Sequence, residues 1–437
     1  MINDNLGLKF QVEIFEFLNT HIKYAVLRNY HGLPQKNESR DIDFIVEANS
    51  FFSIQKKLVK KIEDLAFNIV IYYKCERLIT FVCGNADESC MVQLDFFTSC
   101  SVKGLYMISA KDMLEDRIFE NGIWHVNKDY EFLDKYCFLK ATGHEYPCKY
   151  QEVLSEVAKS LTIDETIKRC LGINSLKELL SMSSVSFKRK IVKRNVKKNL
   201  WACFTNYYSF IKYHVSNRFH LHGVSVGFTG PDGSGKTTVI NGVVTVINQI
   251  QRNVPLYHFR PTILQNLGDA AHNVGLKKTV DHQFDKPHRG KRQGVISSFL
   301  RLIWYSADYI LGYWFKTRML LSNRNFIVFD RYYTDIIADS RRSKIYISPK
   351  FLYVWGKMFI PKLCYNILLT AHSNVILQRK QELDETAINE INKHLDYLKD
   401  KQGYYIIWNE STPHDAVRKI LKVIFESQHV INTKRLM

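Results

Sequence analysis

The apolar positions in the second half of the chain follow two patterns that alternate. Short, uninterrupted apolar runs are typical of buried strands, and between them apolar residues recur every three or four positions, as in helices packed on a sheet. The runs predict strands at residues 224–229, 255–259, 325–330, 365–370 and 404–409, and the clearest helices lie at 239–250, 299–321 and 413–425. This alternation predicts an α/β domain over residues 223–437, with a parallel sheet and flanking helices.

The first half of the chain has a less regular pattern. Its spacing predicts helices at 10–18, 108–122 and 129–142, and strands at 24–27, 41–46 and 91–97. Helical spacing then continues from Val153 to Leu180. These elements predict a smaller α+β domain over residues 1–150, followed by a helical segment and basic linker over 151–222. A length of 437 residues suits two or three domains.

Composition narrows the setting in which the protein works. Hydrophobic residues make up 46% of the chain, and the formal net charge of +18 favours polyanionic partners such as nucleotides, nucleic acid or an acidic membrane face. The nine cysteines form no CxxC pair, which indicates reduced thiols rather than disulfides or a zinc site. The first residues lack the apolar core of a signal peptide, and no apolar run reaches membrane-spanning length. A cytoplasmic protein is therefore expected.

A strongly basic segment lies in the predicted linker. Seven Lys and Arg side chains lie within residues 188–198, and apolar residues from Ile191 to Phe204 recur among them at helical spacing. Such a helix can lie on an anionic membrane through residues 188–204, which would place the protein at the inner face of that membrane. It can also bind nucleic acid, which we rank behind the membrane. The third alternative, which we rank ahead of both, is a solvated helix whose apolar stripe packs between two domains.

A glycine-rich motif connects the first predicted strand of residues 223–437 to the first predicted helix. It reads Gly230-x-x-x-x-Gly235-Lys236-Thr237, in the strand–turn–helix context of a phosphate-binding P-loop. Such glycines let backbone N–H groups converge on a phosphate, and the helix N-terminus adds partial positive charge. Lys236 would reach the β- and γ-phosphates of ATP, and the Thr237 hydroxyl would bind Mg²⁺. The predicted cofactor-binding residues are Gly230, Asp232, Gly233, Ser234, Gly235, Lys236, Thr237 and Thr238.

Charged side chains end the predicted strand at 325–330. Asp330 stands where an acid would orient Mg²⁺, and Arg331 can grip a phosphate bidentately. Asp335, Asp339, Arg341 and Arg342 follow on the segment that leaves the strand. The sequence therefore predicts that Mg²⁺ and phosphate groups bind at this end of the strand.

Polar side chains also lie at the carboxyl end of the strand predicted at 255–259. His258 and Arg260 lie there, and ligands of open α/β sheets bind at the carboxyl ends of strands, so both are predicted to meet an acceptor. Farther along, Asp308 lies within an apolar helix and needs a partner. The polar, basic stretch at 276–293 is either a loose connection or part of a substrate lid.

In combination, the sequences GPDGSGKTT at 230–238 and FDRYY at 329–333 resemble thymidylate kinase and related nucleoside monophosphate kinases. The resemblance covers residues 223–437 and implies a phosphotransferase that uses ATP and Mg²⁺. It implies that Asp232 faces the acceptor and that Arg331 contacts the acceptor phosphate, with Arg260 as a further substrate-binding residue. Arg341, on the segment that leaves the strand at 325–330, is also predicted to bind substrate. Arg379, followed by Lys380, matches the lid residues that neutralise the transferring phosphoryl group.

The first domain resembles nucleotidyltransferases of the polymerase-β type. The resemblance rests on a strand, a loop, the strand Asp41-Ile42-Asp43 and a later strand that carries Asp95. Three carboxylates on neighbouring strands can hold Mg²⁺ ions for nucleotidyl transfer. In this family a Gly-Ser pair precedes the Asp-x-Asp strand, and this chain has Arg28-Asn29 at the matching place.

The leading expectation is phosphoryl transfer from ATP to a small-molecule acceptor, either a nucleoside monophosphate such as dTMP or a related compound. A sugar or glycan kinase, or a nucleotidyltransferase, of bacterial surface-polysaccharide synthesis is the second hypothesis. The third is a scaffold protein that binds ATP without turning it over. A homodimer is a further expectation.

Overall fold

The computed structural model describes residues 4–264 and 294–436. By the density of its internal contacts, the chain divides into two compact units, of which the first contains residues 1–220 and 425–437 and the second contains residues 221–424. The helical segment proposed from the sequence at 151–222 thus groups with the first unit up to residue 220. The basic stretch at 276–293 lies outside the described residues. Among the described residues, no helix combines the length and the apolar character needed to cross a bilayer.

The first unit combines a large mixed sheet with a small hairpin. Its strands are β1 (Tyr24–Val26), β2 (Asp41–Val46), β3 (Asn68–Lys74), β4 (Leu78–Asn85), β5 (Cys90–Phe97), β6 (Ser99–Val102), β7 (Leu105–Ser109), β8 (Ile118–Glu120) and β9 (Ile123–His125). Seven of them form a sheet in the order β3-β4-β5-β2-β1-β9-β8, and β6 pairs with β7. Because β2 and β5 are neighbours and parallel, Asp43 lies directly opposite Asp95.

The helices of the first unit begin before the sheet and continue after it. They are α1 (Asp4–His21), α2 (Ala48–Asp64), α3 (Ala110–Glu115), α4 (Lys128–Thr142), α5 (Gln151–Val157), α6 (Ile163–Leu171), α7 (Leu176–Ser181), α8 (Ser184–Lys198) and α9 (Leu200–Phe219). One apolar core contains the stacked rings of Phe44 and Phe96 in the large sheet. A second core joins the β6–β7 hairpin to the helices that follow, down to Phe187 and Ile191 of α8.

The single helix predicted over residues 108–122 is wrong. Only Ala110–Glu115 is helical there, and β8 and β9 form an antiparallel hairpin. The residues between these strands, Asn121 and Gly122, both have positive φ, at 51° and 84°. An Asn-Gly pair favours this two-residue hairpin turn over a continuing helix.

The second unit is a parallel sheet with helices. Its strands are β10 (Val224–Thr229), β11 (Leu256–His258), β12 (Phe326–Asp330), β13 (Tyr365–Thr370) and β14 (Tyr404–Trp408). Its helices are α10 (Lys236–Ile247), α11 (Val295–Gly312), α12 (Arg318–Ser322), α13 (Tyr333–Ala338), α14 (Ser340–Ser343), α15 (Pro349–Phe359), α16 (Ser373–Arg379), α17 (Glu385–Leu398) and α18 (Pro413–Leu436). A π-helical turn, Tyr313–Thr317, connects α11 to α12. The last residues of α18, from 425 onward, group with the first unit.

The order of strands in this sheet fixes where a ligand can bind. The order is β11-β12-β10-β13-β14, and every neighbouring pair is parallel. The chain leaves the central strand β10 towards one side and later returns to pair β13 on its other side. In open α/β sheets, the carboxyl ends of strands at such a switch point form the ligand-binding crevice. The fold class predicted for residues 223–437 is therefore confirmed, and a separate N-terminal α/β domain is present.

Candidate phosphate-binding site

The glycine-rich loop joins the carboxyl end of β10 to the N-terminus of α10. Gly233 and Gly235 both have a φ of +87°, a conformation that side chains with a Cβ atom rarely adopt. At Gly230, a Cβ atom would lie 1.9 Å from the carbonyl oxygen of Leu369 on β13. The loop can therefore keep this close path only with glycine at these positions, and it presents the first N–H groups of α10 at the edge of the sheet.

Lys236 is the first residue of α10 and is almost fully buried. Its Nζ atom donates hydrogen bonds to the carbonyl oxygens of Gly230 at 2.7 Å and Pro231 at 2.8 Å. Burial, together with the nearby Arg331 guanidinium, lowers the pKa of Lys236 below its ordinary value. The ammonium group is thus held over the loop at the place where a phosphate would lie.

Asp232, inside the loop, is the centre of a cluster of charges. Arg331 Nη2 lies 2.8 Å from Asp232 Oδ1, and Lys236 Nζ lies 3.7 Å from the same oxygen. Arg342 Nη2 contacts the other carboxylate oxygen, Oδ2. One carboxylate therefore gathers three cations at the carboxyl edge of the sheet.

Arg331 reaches this cluster through an unusual backbone conformation. It directly follows β12, its φ is +71°, and its N–H donates to the carbonyl oxygen of Phe228 at 2.9 Å. Strained backbone of this kind persists where the surrounding structure fixes it, and it clusters at functional sites. Burial alone would lower the pKa of Arg331, but the carboxylates of Asp335 and Asp232 raise it above its ordinary value.

Arg342 belongs to the cluster, although the sequence prediction named its neighbour Arg341. The backbone N–H of Arg342 donates to Asp339 Oδ1 at 3.0 Å, so Asp339 caps the short helix α14 and orients Arg342. Arg341 is half exposed and lies 3.7 Å from Glu390. Successive residues on a helix point about 100° apart, so only one of two adjacent arginines can face the loop. The signal that could have identified Arg342 is Asp339, an acid that can cap a helix and that lies shortly before the two arginines in the sequence.

Asp335 is a buried acid beside the cluster. Burial raises the pKa of Asp335 to about 7, although Arg331 acts in the opposite direction. Because the folded state holds this proton more tightly than the unfolded chain, the contribution of Asp335 to stability falls as pH rises from 3.8 to about 7. This carboxyl group therefore exchanges its proton near neutral pH.

Thr237 and Asp330 offer the ligands that Mg²⁺ would need. Thr237 is exposed in the first turn of α10, and its hydroxyl makes no hydrogen bond to the residues that the structure describes. Asp330 ends β12; one of its oxygens lies 3.1 Å from His258 Nδ1, while the other is buried without a hydrogen-bond partner among the described residues. A hydroxyl and an unsatisfied carboxylate oxygen suit a hard divalent cation, so the residues present fit the ion. His258 itself is largely exposed beside Asp330.

Asn409 was missed by the sequence prediction and supports the loop from the next strand. It follows β14, and its Nδ2 atom donates to the carbonyl oxygen of Ser234 at 2.8 Å. Its own carbonyl oxygen accepts a hydrogen bond of 2.8 Å from Arg379 Nη1. Arg379 therefore lies near the loop, and its guanidinium binds the backbone of Asn409; its predicted lid role stays a prediction. The position of Asn409 at the carboxyl end of a parallel strand was the signal that could have identified it.

Arg260 lies in a different environment from the one predicted. Its guanidinium is 4% exposed and pairs at 2.9 Å with Asp308, which is fully buried in α11. The second oxygen of Asp308 accepts from the backbone N–H groups of Ile263 and Leu264, at 2.8 Å and 2.7 Å. The pair thus fixes the chain after β11, and Asp308 has the partner that its burial requires.

Three acids of the first unit come together as the strand pattern predicts. Asp41 and Asp43 of β2 and Asp95 of β5 each offer an oxygen within 4.8 Å of the others. Burial raises the pKa of Asp43 to about 7 against the opposing effect of Arg28, whose Nε lies 2.7 Å from Asp43 Oδ2. The other oxygen of Asp43 is buried without a hydrogen-bond partner among the described residues. Such an oxygen, beside two further carboxylates, suits a divalent cation.

Both oxygens of Asp95 are already held by neighbouring side chains. Thr80 Oγ1 donates to one at 2.5 Å, and Gln93 Nε2 donates to the other at 2.9 Å. Ser39 Oγ donates to Asp41 at 2.6 Å. Hydrogen bonds of this kind orient carboxylates that ligate a metal.

The fold and loop geometry of the second unit define a class: an α/β protein in which a five-stranded parallel sheet, flanked by helices, carries a glycine-rich loop of the P-loop type. No protein-family model matches the chain, and no curated protein matches its sequence. Among solved structures, the chain is similar to thymidylate kinase from Ehrlichia chaffeensis, with 16% sequence identity and a TM-score of 0.31. The similarity covers 46% of this chain and 98% of that one. A likeness this weak supports no argument about substrate or reaction.

Proposed function

We propose that the second unit is a phosphotransferase that uses ATP and Mg²⁺ and transfers the γ-phosphoryl group to a small-molecule acceptor. The observation that carries this proposal is the convergence of Lys236, Arg331 and Arg342 on Asp232 beside the glycine-rich loop. A protein that only binds ATP needs the loop and its lysine. Two further arginines, both only partly exposed, supply charge for a second, anionic substrate at the same edge of the sheet.

The chemistry needs little beyond position and charge. The transferring phosphoryl group passes through a loose transition state whose charge spreads over its oxygens, so fixed cations lower the barrier. Its bond to the bridging oxygen of ATP breaks, ADP leaves, and a new bond forms to an acceptor oxygen. Lys236 would hold the donor phosphates, and Arg331 and Arg342 would hold the acceptor phosphate and neutralise charge. Mg²⁺, held by Thr237 and Asp330, would neutralise the charge between the phosphates.

The acceptor side of the site favours a phosphorylated compound. His258 is largely exposed next to Asp330, and Asp232 can accept a hydrogen bond from a hydroxyl once its arginines turn to phosphate. A nucleoside monophosphate of the dTMP type offers both groups. A sugar or glycan acceptor of bacterial surface-polysaccharide synthesis offers the hydroxyl, and it remains the alternative substrate class.

The rate of ADP release with different acceptors tests this function. With Mg²⁺ and ATP, the full-length protein is expected to release ADP at least about tenfold faster when the correct acceptor is added, because the acceptor completes the site. The panel contains dTMP, the other nucleoside monophosphates and monosaccharides, and phosphorylated acceptor must appear in the same amount as ADP. A matched reaction without Mg²⁺ is the control. If ATP binds but no acceptor increases its turnover, the protein is an ATP-binding scaffold instead.

We also propose that the enzyme works in the cytoplasm, where its donor ATP is abundant. All nine cysteines are free thiols. Thiols of this kind persist in reducing compartments.

A second activity is proposed for the first unit: nucleotidyl transfer at Asp41, Asp43 and Asp95. The specific support is an oxygen of Asp43 that is buried beside two further carboxylates and has no hydrogen-bond partner within residues 4–264 and 294–436. In such a reaction an acceptor oxygen attacks the α-phosphorus of a nucleoside triphosphate, and pyrophosphate leaves. A divalent cation bound there would neutralise charge on the phosphates. Arg28, next to Asp43, could hold the leaving pyrophosphate.

A chain with Lys236→Ala isolates this second activity. It is expected to release pyrophosphate from a nucleoside triphosphate in the presence of a sugar phosphate, and added Asp41→Asn or Asp43→Asn should reduce that rate by about a hundredfold or more. Asp64→Asn, at an exposed acid at the end of α2, is the matched control. Asp41 is partly exposed, so its variant should fold even if the buried change at Asp43 disturbs the sheet. A rate that both active-site variants leave unchanged would exclude the proposal.

A further inference from the structure

Helix α9 carries an exposed apolar stripe that the proposed functions leave unused. The helix has 20 residues, and none of them is buried. At 3.6 residues per turn, six of its exposed large apolar side chains fall on one side. The members of this stripe are Trp201, Phe204, Tyr208, Ile211, Val215 and Phe219.

The opposite side of α9 is fixed to the first unit, so the exposure does not come from a loose helix. Asn217 Nδ2 donates to the hydroxyl of Tyr73 on β3 at 3.0 Å. At Gly104, in the turn between β6 and β7, a Cβ atom would lie 2.9 Å from the Cα atom of Tyr207. The helix is therefore seated on the sheet and the hairpin with its aromatic stripe turned outward. In the part of the chain that the structure describes, Trp201 is 75% exposed and Phe204 is 71% exposed.

The charges around the stripe indicate which kind of partner can bind there. Residues 184–219, which form α8 and α9, contain nine Lys and Arg side chains and no Asp or Glu. Lys188, Lys193 and Lys197 of α8 are exposed and make no ion pair with the described residues. A second copy of the same surface would bring like charges together, which opposes association. An anionic surface is the complementary partner.

A pocket at the junction of the two helices extends the same charge. Its volume is about 620 Å³, and Lys168, Arg169, Arg194 and Lys198 contribute four cations to its lining against one acid, Asp112. Arg169 is paired with Asp116. The guanidinium of Arg194 instead donates to the carbonyl oxygens of Tyr106 and Met107. A pocket of this size and charge suits a phosphate-bearing headgroup.

We infer that α8 and α9 bind an anionic lipid surface, with the aromatic stripe at the level of the headgroups and the lysines on lipid phosphates. Trp and Tyr favour the membrane interface because their rings are apolar at one end and polar at the other. Basic residues beside such a helix add electrostatic attraction to anionic lipid. The proposed lipid-binding surface is longer than the segment predicted from the sequence, which ended at residue 204, because the exposed stripe continues to Phe219. It does not depend on either proposed activity.

Vesicle flotation with the full-length protein tests the inference. The protein should bind vesicles of phosphatidylcholine with about one third phosphatidylserine, and it should bind pure phosphatidylcholine and high-salt samples far less. Trp201→Ser with Phe204→Ser should weaken binding at least about tenfold. The matched control is Trp314→Ser with Phe315→Ser, a Trp–Phe pair of similar exposure in the second unit. Equal binding by these two variants, or no binding by the wild type, would overturn the inference.

The contribution of charge is tested separately. Lys193→Gln, Lys197→Gln and Lys198→Gln together should weaken binding at least about tenfold, while the same net change made at Lys36, Lys111 and Lys399 should not. Melting temperatures of all variants should match the wild type because every altered side chain is exposed.

Two other outcomes would identify a different partner. If the wild type is a dimer without lipid and the Trp201 and Phe204 variant is a monomer, the stripe binds a second copy. If the wild type binds RNA but not vesicles, and the triple lysine variant no longer binds RNA, the surface binds nucleic acid. Either result rejects the lipid surface.

Discussion

Replacement of Lys236 by alanine is expected to reduce acceptor-dependent ATP turnover by roughly a thousandfold or more, which corresponds to about 4 kcal/mol of transition-state stabilisation. The ammonium group lies over the glycine-rich loop, bonded to the carbonyl oxygens of Gly230 and Pro231. When a phosphate enters the loop, the Lys236 ammonium group would donate its hydrogen bonds to the phosphate oxygens instead. In the alanine variant no ammonium group balances the negative charge of that phosphate. Turnover is measured as ADP release with the best acceptor of the panel.

The fold should survive this change. Burial makes the charged form of Lys236 costly in the folded state, so removal of the charge offsets part of the lost hydrogen bonding. Lys236→Met keeps the volume of the side chain and should be as inactive as the alanine variant. Lys399→Ala, at an exposed lysine paired with Asp396, should keep full activity. Normal turnover by Lys236→Met with an unchanged circular dichroism spectrum would show that phosphate does not bind at this loop.

The parallel sheet and its phosphate loop could be predicted because local sequence determines them. The buried strands of the second unit are mainly apolar, and Gly230, Gly233 and Gly235 mark the path that the loop takes. The pairing of Asp43 with Asp95 was also accessible, because both lie in strands with recognisable apolar neighbours.

Long-range contacts explain what could not be predicted. Arg260 and Asp308 are far apart in sequence, and only the packing of α11 against the chain after β11 makes them a buried pair. The role of Asn409 depends on β14 lying beside β13, so that its amide reaches Ser234. The hairpin at Asn121-Gly122 had a local signal, but helical spacing in the preceding residues concealed it. Side-chain direction in a short helix such as α14 depends on a cap that the apolar pattern does not show.

Arg342→Ala is expected to reduce kcat/KM for the acceptor by about a hundred- to a thousandfold. Arg342 is 10% exposed, and it shares Asp232 with Arg331. If the arginine grips the acceptor phosphate, the KM for the acceptor rises while the KM for ATP stays near the wild-type value. If it mainly neutralises charge that develops during transfer, kcat falls instead. Steady-state kinetics with each substrate varied in turn separates the two effects.

The adjacent arginine is the matched control, because Arg341→Ala removes the same side chain one residue earlier. Arg341 is 49% exposed and its contact with Glu390 is 3.7 Å long, and a pair of this kind contributes little. Its loss should change kcat/KM less than about threefold. Arg342→Lys keeps the charge but not the planar fork, so an intermediate rate would indicate bidentate binding. Equal losses at both positions would mean that the short helix α14 moves as a unit when substrate binds, and that Asp339 does not orient Arg342 alone towards Asp232.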